Sequence, residues 1–260
     1  MNGNMIKRLL LAVVILLTLM GIGLAGDLKT RLTTLEWPPY ISQNIDGQGY
    51  VAEVVKGAFK EAGYSDASFV FLEWTETVRL AQVGKADGYF PEYYSATLEK
   101  DFEFSDAMPG GALVLAKLKE VSLAYTGKVE ELKPFKLGVV AGYINTEEID
   151  SADYLTKVEA ESDSVNLKNL FSKKVDVIVI DQLVADMLLS EGLFSKFAGK
   201  VEILAPVLEV KPLYVAFSKS SPNMPGVKDD FNKGLASLAA SGKMDAILKK
   251  HGLEGKVGVE

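Results

Sequence analysis

Val175 to Leu189 reads VDVIVIDQLVADMLL, and this stretch decides the fold. An apolar run of strand length, Val175 to Asp181, passes directly into a segment of helical period, Gln182 to Ser190. A strand with an unbroken apolar run is one covered on both faces. A helix that follows such a strand at once is the repeating unit of α/β domains.

Outward from this unit the same alternation recurs. Strand-length runs are RLTTLE (Arg31 to Glu36), SFVFLE (Ser68 to Glu73), DGYF (Asp87 to Phe90), ALVLAK (Ala112 to Lys117), KLGVVAG (Lys136 to Gly142), VEILAP (Val201 to Pro206) and LYVAFS (Leu213 to Ser218). Between the first two, Val51, Val54, Val55, Ala58, Phe59 and Ala62 recur at helical spacing and predict a helix over Tyr50 to Tyr64, ended by Gly63. Further helices are predicted at Thr75 to Val83, Ser164 to Lys173, Val227 to Ala240 and Met244 to Lys250. VGKADGYF and FSKKVDVIVID each run from a helix end through a basic turn and an Asp into a strand, an echo that two similar α/β lobes would produce. Asp87 and Asp176 within them read as turn acids that cap backbone groups.

The 260 residues, 48% hydrophobic and 24% charged, suit an ordered globular chain of one large domain or two lobes of about 100 residues each. Lys7 and Arg8 precede an uncharged apolar run from Leu9 to Leu24 and the small residues of GIGLAGD. This pattern predicts a secretory signal peptide over residues 1–25, with the mature chain beginning at Gly26 or Asp27. The run is shorter than the roughly 20 residues that a spanning helix prefers. Loss of those two positive charges takes the formal charge from −7 to −9. The mature protein is therefore acidic, with no basic patch to neutralise phosphates, which argues against nucleic acid as a partner. The absence of cysteine excludes disulfides, thiol nucleophiles and a lipidated N-terminus. A soluble, non-lipidated protein of a Gram-negative periplasm is the simplest address.

Signals of catalysis are sparse. His251 is the single histidine and sits in LKKHGLE, which reads as a solvated helix end before Gly252. One His and no Cys leave neither a zinc cluster nor a His-paired nucleophile. GQGYVAEVVKG is a poor dinucleotide loop because its third glycine is misplaced, and no phosphate-cradling loop is present, so no cofactor is expected. Glu36, Glu92 and Asp181 each stand at or just after the end of a predicted strand, where open α/β sheets place ligands. Aromatic rings gather at the same ends: Trp37 and Tyr40 after the first strand, Trp74 after the second, Tyr93 and Tyr94 after the third. Any one of these rings is most simply a packing residue. Their recurrence at one end of successive strands points to a ligand cleft, which needs apolar walls and a few placed polar groups.

The order of motifs resembles that of the bacterial extracellular solute-binding proteins of family 3, which are mostly periplasmic receptors for polar amino acids. The motifs that carry the resemblance are WPPYI, GQGYVAEVVKGAFKEAGY, EWTETVRLAQVGKADGYF, FEFSDAM, KLGVVAGY, VDVIVIDQLVADMLL and FNKGLASLAASGKMDAILKKHGL, spanning nearly the whole mature chain. The resemblance implies a two-lobed α/β clamp of the type II periplasmic-binding-protein kind, each lobe a mixed sheet flanked by helices. Lobe one would comprise residues 27–110 and 208–260, and lobe two residues 111–207, with hinge crossings near GGALV and EVKPLY. It further implies aromatic walls at Trp37 and Trp74, an acid for a ligand ammonium at Asp181, and backbone N–H groups for a ligand carboxylate across Gly142, Tyr143 and Asn145. Ser95 falls where the family often has a hydroxyl donor. The amino-acid binders usually place a carboxylate-forking arginine where this chain has Leu98, and the nearby Lys100 is no bidentate fork.

A cleft of Trp37, Tyr40, Trp74, Tyr93 and Tyr94 beside Glu92 and Asp181 would suit a cationic or aromatic solute. The implied function is capture of a small polar solute, an amino acid or related amine, for ABC-type import. The small-molecule ligand would be passed to an ABC permease, or presented to a sensor protein, in the inner membrane, with the clamp working as a monomer. The alternatives are a sensing or orphan binding protein without a transport role, and an enzyme like the cyclohexadienyl dehydratases on the same fold.

Overall fold

The computed structural model describes residues 28–190 and 192–258, so the predicted signal peptide lies outside the described residues. Strand β1 (Lys29–Thr34) pairs in parallel with β2 (Asp66–Phe71) and β3 (Gly88–Glu92). Parallel neighbours require crossovers, supplied by helices α1 (Tyr50–Glu61) and α2 (Trp74–Gln82). Helix α1 buries Tyr50, Val51, Val54, Val55, Ala58 and Phe59 on its sheet-facing side. It stops where Gly63 adopts φ 89 and lets the Tyr64 amide turn back onto the Phe59 carbonyl at 2.9 Å. Strands β4 (Phe102–Phe104) and β11 (Tyr214–Ser218) complete a five-stranded sheet of order β2-β1-β3-β11-β4, in which β11 runs antiparallel to both neighbours.

The second sheet contains β5 (Ala112–Leu118), β6 (Lys136–Val140), β7 (Thr156–Ala160), β8 (Val177–Asp181), β9 (Val201–Ile203) and β10 (Glu209–Val210). Its order is β10-β5-β8-β6-β7, with β9 also on β5; β6 is parallel to β7 and β8, while β5 is antiparallel to β8. Helices α3 (Glu147–Ser151), α4 (Asp163–Phe171) and α5 (Gln182–Ser190) make its connections. The expected architecture of two lobes, each a mixed sheet flanked by helices, is the one observed. The short strands β4, β7 and β10 add to those predicted from apolar runs. β7 escapes such a search because its TKVEA is largely polar and only half-buried at the sheet edge.

The chain returns to the first lobe through β11 and helices α6 (Met224–Ala240) and α7 (Lys243–Lys250). Helix α6 lies so close to α1 that a Cβ on Gly234 would meet the Ala58 carbonyl oxygen at 1.9 Å; only glycine fits there. The two crossings between lobes run side by side. Met108 and Leu213 exchange backbone hydrogen bonds of 2.8 and 3.0 Å, and the Lys211 amide donates to the Gly111 carbonyl at 2.8 Å. Glu209 and Val210 still pair with β5, so the outgoing crossing follows Val210.

The two turn acids cap backbone as read from their positions. Asp176 accepts from the Lys136 amide at 2.8 Å. Asp87 accepts from the Arg31 amide, and also from Thr30, Ser221 and Asn223, which ties the start of β3 to the returning segment. The reading of His251 as a solvated helix end is corrected: its ring is only 9% exposed and its Nε2 lies 3.1 Å from Glu53, because α7 ends against α1.

Candidate functional site

The polar seam between the lobes is built from strand ends. After β1 the chain folds into a tight turn in which the Trp37 amide bonds the Ile41 carbonyl at 2.8 Å and the Tyr40 amide bonds the Trp37 carbonyl at 3.0 Å. That turn stacks the Trp37 and Tyr40 rings at 4.4 Å between centroids, so their two N–H and O–H donors point the same way. Across the cleft they meet two carboxylates. Trp37 Nε1 donates to Asp163 Oδ2 at 3.1 Å, and the Tyr40 hydroxyl donates to Asp181 Oδ2 at 2.9 Å.

Asp181 ends β8 and caps α5: its Oδ1 accepts from the Leu183 and Val184 amides at 2.9 and 3.1 Å. The other oxygen faces the first lobe, where it also accepts from the Tyr93 hydroxyl at 3.4 Å. Asp163 opens α4 immediately after Ser162, whose hydroxyl takes the Val165 amide at 3.3 Å. Burial raises the Asp163 carboxyl to about 7; the Trp37 hydrogen bond opposes the rise and the nearby Asp181 charge adds to it. Burial likewise raises Asp181 to about 6, against the hydrogen bonds from Tyr40, Val184, Leu183 and Tyr93.

Trp74, the first residue of α2, donates from Nε1 to the Gly142 carbonyl at 3.1 Å and stands edge-on to Tyr89 and Tyr143. Glu92 ends β3, where it accepts from the Tyr89 hydroxyl at 2.8 Å and the Tyr93 amide at 2.7 Å. Burial pushes its carboxyl up to about 8, with Tyr89, the Tyr93 amide and the charge of Lys211 acting the other way. Lys211, in the hinge crossing and only 7% exposed, lies 3.3 Å from Glu209 and 5.4 Å from the Tyr93 ring centroid. A cavity of about 20 Å³ remains among these groups, lined by Leu35, Trp37, Trp74, Pro91, Glu92, Tyr93, Tyr143, Ile144 and Leu213. Its size is that of roughly one water molecule. Among the described residues, no group of three or more His, Asp or Glu is placed to hold a metal ion.

The structure thus brings together Trp37, Tyr40, Trp74, Glu92, Tyr93, Gly142, Tyr143 and Asp181. It places Ser95 elsewhere, at the cap of a single 3₁₀ turn over Ala96–Leu98, where its hydroxyl faces Thr97. Asn145 turns inward: its amide N–H and its side-chain Nδ2 both hold the Asp150 carboxylate, at 2.9 and 2.7 Å. Leu98 packs half-buried against the hydrophobic core. Three residues that matter here were missed from sequence, namely Asp163, Lys211 and Tyr89. The signal for Asp163 was present in the pair Ser162-Asp163 at a helix start, but it gains meaning only once the preceding TKVEA is known to be a strand.

The model of the bacterial extracellular solute-binding proteins, family 3, matches residues 31–254. The chain belongs to that family. No curated protein sequence matches this family member significantly. Among solved structures, it resembles an ancestral arginine-binding protein bound to arginine, at 21% identity and a TM-score of 0.72 over 85% of this chain and 97% of that one. A histidine kinase sensor domain similar to periplasmic binding proteins aligns at 17% identity and 0.73, over 86% and 96%. The substrate-binding protein of an amino acid ABC transporter from Streptococcus pneumoniae, bound to L-arginine, aligns at 20% and 0.69, over 89% and 96%. At these identities the likeness is one of fold, and it extends over both lobes of this solute-binding protein.

Proposed function

We propose that this solute-binding protein is exported by its first 25 residues to the periplasm, where it captures a small polar solute, an amino acid or related amine, for an ABC-type importer. On this reading lobe one comprises residues 27–110 and 211–260, lobe two comprises residues 111–210, and the chain binds its solute without transforming it. Trp37, Tyr40, Trp74, Glu92, Tyr93, Tyr143, Asp163 and Asp181 are the contacts it assigns.

The observation that carries the reading is the seam itself. Trp37 and Tyr40 of one lobe close on Asp163 and Asp181 of the other through hydrogen bonds that a polar solute can replace group by group. Solute-bound relatives of the same fold support it. Hinged lobes that part and close around a solute are a known mode of movement.

Calorimetric titration of dialysed protein with a panel of amino acids and amines tests the binding half. Saturable heat from at least one member is expected, together with a raised melting temperature, since a ligand that binds only the folded state stabilises it. Neither response from any member would overturn the reading. Uptake of the bound compound by cells with and without the gene tests the import half, and equal uptake would overturn that part.

A further inference from the structure

Among the described residues, the four side-chain hydrogen bonds that close the cleft all run in one direction. Trp37, Tyr40, Trp74 and Tyr93 of the first lobe donate; Asp163, Asp181 and the Gly142 carbonyl of the second accept. Neutral indole and phenol donors hydrogen-bond the two carboxylates but leave their charge uncompensated, which is costly in a buried place. The hinge cation, Lys211, is engaged with Glu209 at 3.3 Å.

A ligand carboxylate finds no matching provision. The arginines among the described residues are Arg31, exposed on β1, and Arg79, paired with Glu76 on an exposed face of α2. The loop after β6, which the family resemblance assigns to a ligand carboxylate, already holds one from the protein, since Asn145 binds Asp150 through backbone and side chain. Glu92 is buried, lines the cavity and presents its own acidic group there.

Resting on the reading of this cleft as the solute site, we infer that it selects organic amines without a carboxylate. Asp163 and Asp181 hold the ammonium or guanidinium group, and the Trp37, Tyr40 and Tyr93 rings wall it. The cation takes over the acceptors now used by Trp37 and Tyr40, and the displaced rings remain close enough to act on it through their faces.

Matched pairs distinguish the outcomes: agmatine against arginine, cadaverine against lysine and tyramine against tyrosine, each titrated calorimetrically into the full chain. At least one amine is expected to bind at least about tenfold more tightly than its parent amino acid. Asp163→Asn, which keeps an oxygen for Trp37, is expected to weaken binding of that amine about tenfold while leaving the unfolding midpoint in urea no lower than that of the wild type. A merely structural role would lower affinity and midpoint alike. Amino acids that bind as tightly as their amines would overturn this inference and leave the solute-binding reading in place. Silence from all six compounds while some other amino acid binds would do the same. Silence from every solute in the wider panel would instead overturn the proposed function together with the inference. If Asp163→Asn fails to fold, the wild-type pairs decide.

Discussion

Glu92→Gln separates the charge of the buried cleft from its shape. In the folded chain burial lifts this carboxyl from 4.5 to about 8. Between those values the folded state keeps a proton that the unfolded state has released. Stability therefore falls as pH rises through this window, by about 1.4 kcal/mol per pH unit from this one group, and roughly 3–5 kcal/mol is gone above pH 8. Below the unfolded value both states are protonated and nothing is lost. Glutamine preserves the contacts: its oxygen accepts from the Tyr93 amide, and its Nε2 donates to the Tyr89 hydroxyl, which can accept.

Urea unfolding of both proteins at about pH 5, 7 and 9 reads the effect, with their difference cancelling the contributions of Asp163 and Asp181. At about pH 5 the two should agree to within about 1 kcal/mol. At about pH 9 the variant should be more stable by about 3 kcal/mol. A difference that does not grow with pH would refute the assignment of Glu92 as a buried, high-pKa acid.

Four further outcomes follow from the same geometry. Trp37→Phe deprives Asp163 of its 3.1 Å donor, costs the closed form about 1–3 kcal/mol, and should raise the radius of gyration in small-angle scattering; an unchanged profile counts against the seam. Gly111→Ala sets a Cβ 2.0 Å from the Tyr40 hydroxyl and 2.6 Å from Asp181, so overpacking of about 1–3 kcal/mol should appear in the melting curve, and a wild-type melt would contradict it. Asp87→Ala strips the common acceptor of Thr30, Arg31, Ser221 and Asn223 and should cost about 2–4 kcal/mol in urea unfolding; a loss below about 1 kcal/mol would show that these donors find other partners. Because Asp163 and Asp181 titrate near 7 and 6, amine affinity should rise as they ionise between about pH 5 and 8, and a flat calorimetric profile would contradict their role.

The fold was legible because it rests on apolar covering. VDVIVID, ALVLAK and LYVAFS bury both faces and announce themselves as strands, and the spacing of Val51, Val54, Val55, Ala58 and Phe59 marks α1 from sequence alone. Edge strands were harder. TKVEA has no apolar run, and Glu209–Val210, which pairs with β5, is too short to carry a pattern. The first lobe's half of the site could be read from rings that recur after successive parallel strands. Of the second lobe's half, Asp181 could be read from the end of its strand, but Asp163 could not, because it has the local look of any acid in the first turn of a helix. Only the packing of lobe on lobe distinguishes an acid that faces water from one that faces an indole.

The same residues hold the cleft shut and would read the solute, so affinity and closure cannot be tuned separately. A cavity of about 20 Å³ leaves little room beside Trp37, Trp74, Glu92 and Tyr93, and Asp163 and Asp181 are occupied by seam bonds. Entry therefore requires the lobes to part and at least the Trp37–Asp163 and Tyr40–Asp181 bonds to break. Each such bond contributes about 0.5–1.5 kcal/mol net, so the measured affinity is the intrinsic one lowered by the fraction of molecules that are closed on themselves. Weakening a donor on the first lobe relieves that competition without removing a carboxylate from the second. Tyr40→Phe is therefore expected to bind an amine no more weakly than the wild type, whereas Asp181→Asn should bind it at least about tenfold more weakly. Equal losses in the two variants, measured by calorimetry, would show that the Tyr40 hydroxyl, and not only its ring, binds the solute and that the cleft does not close by self-competition.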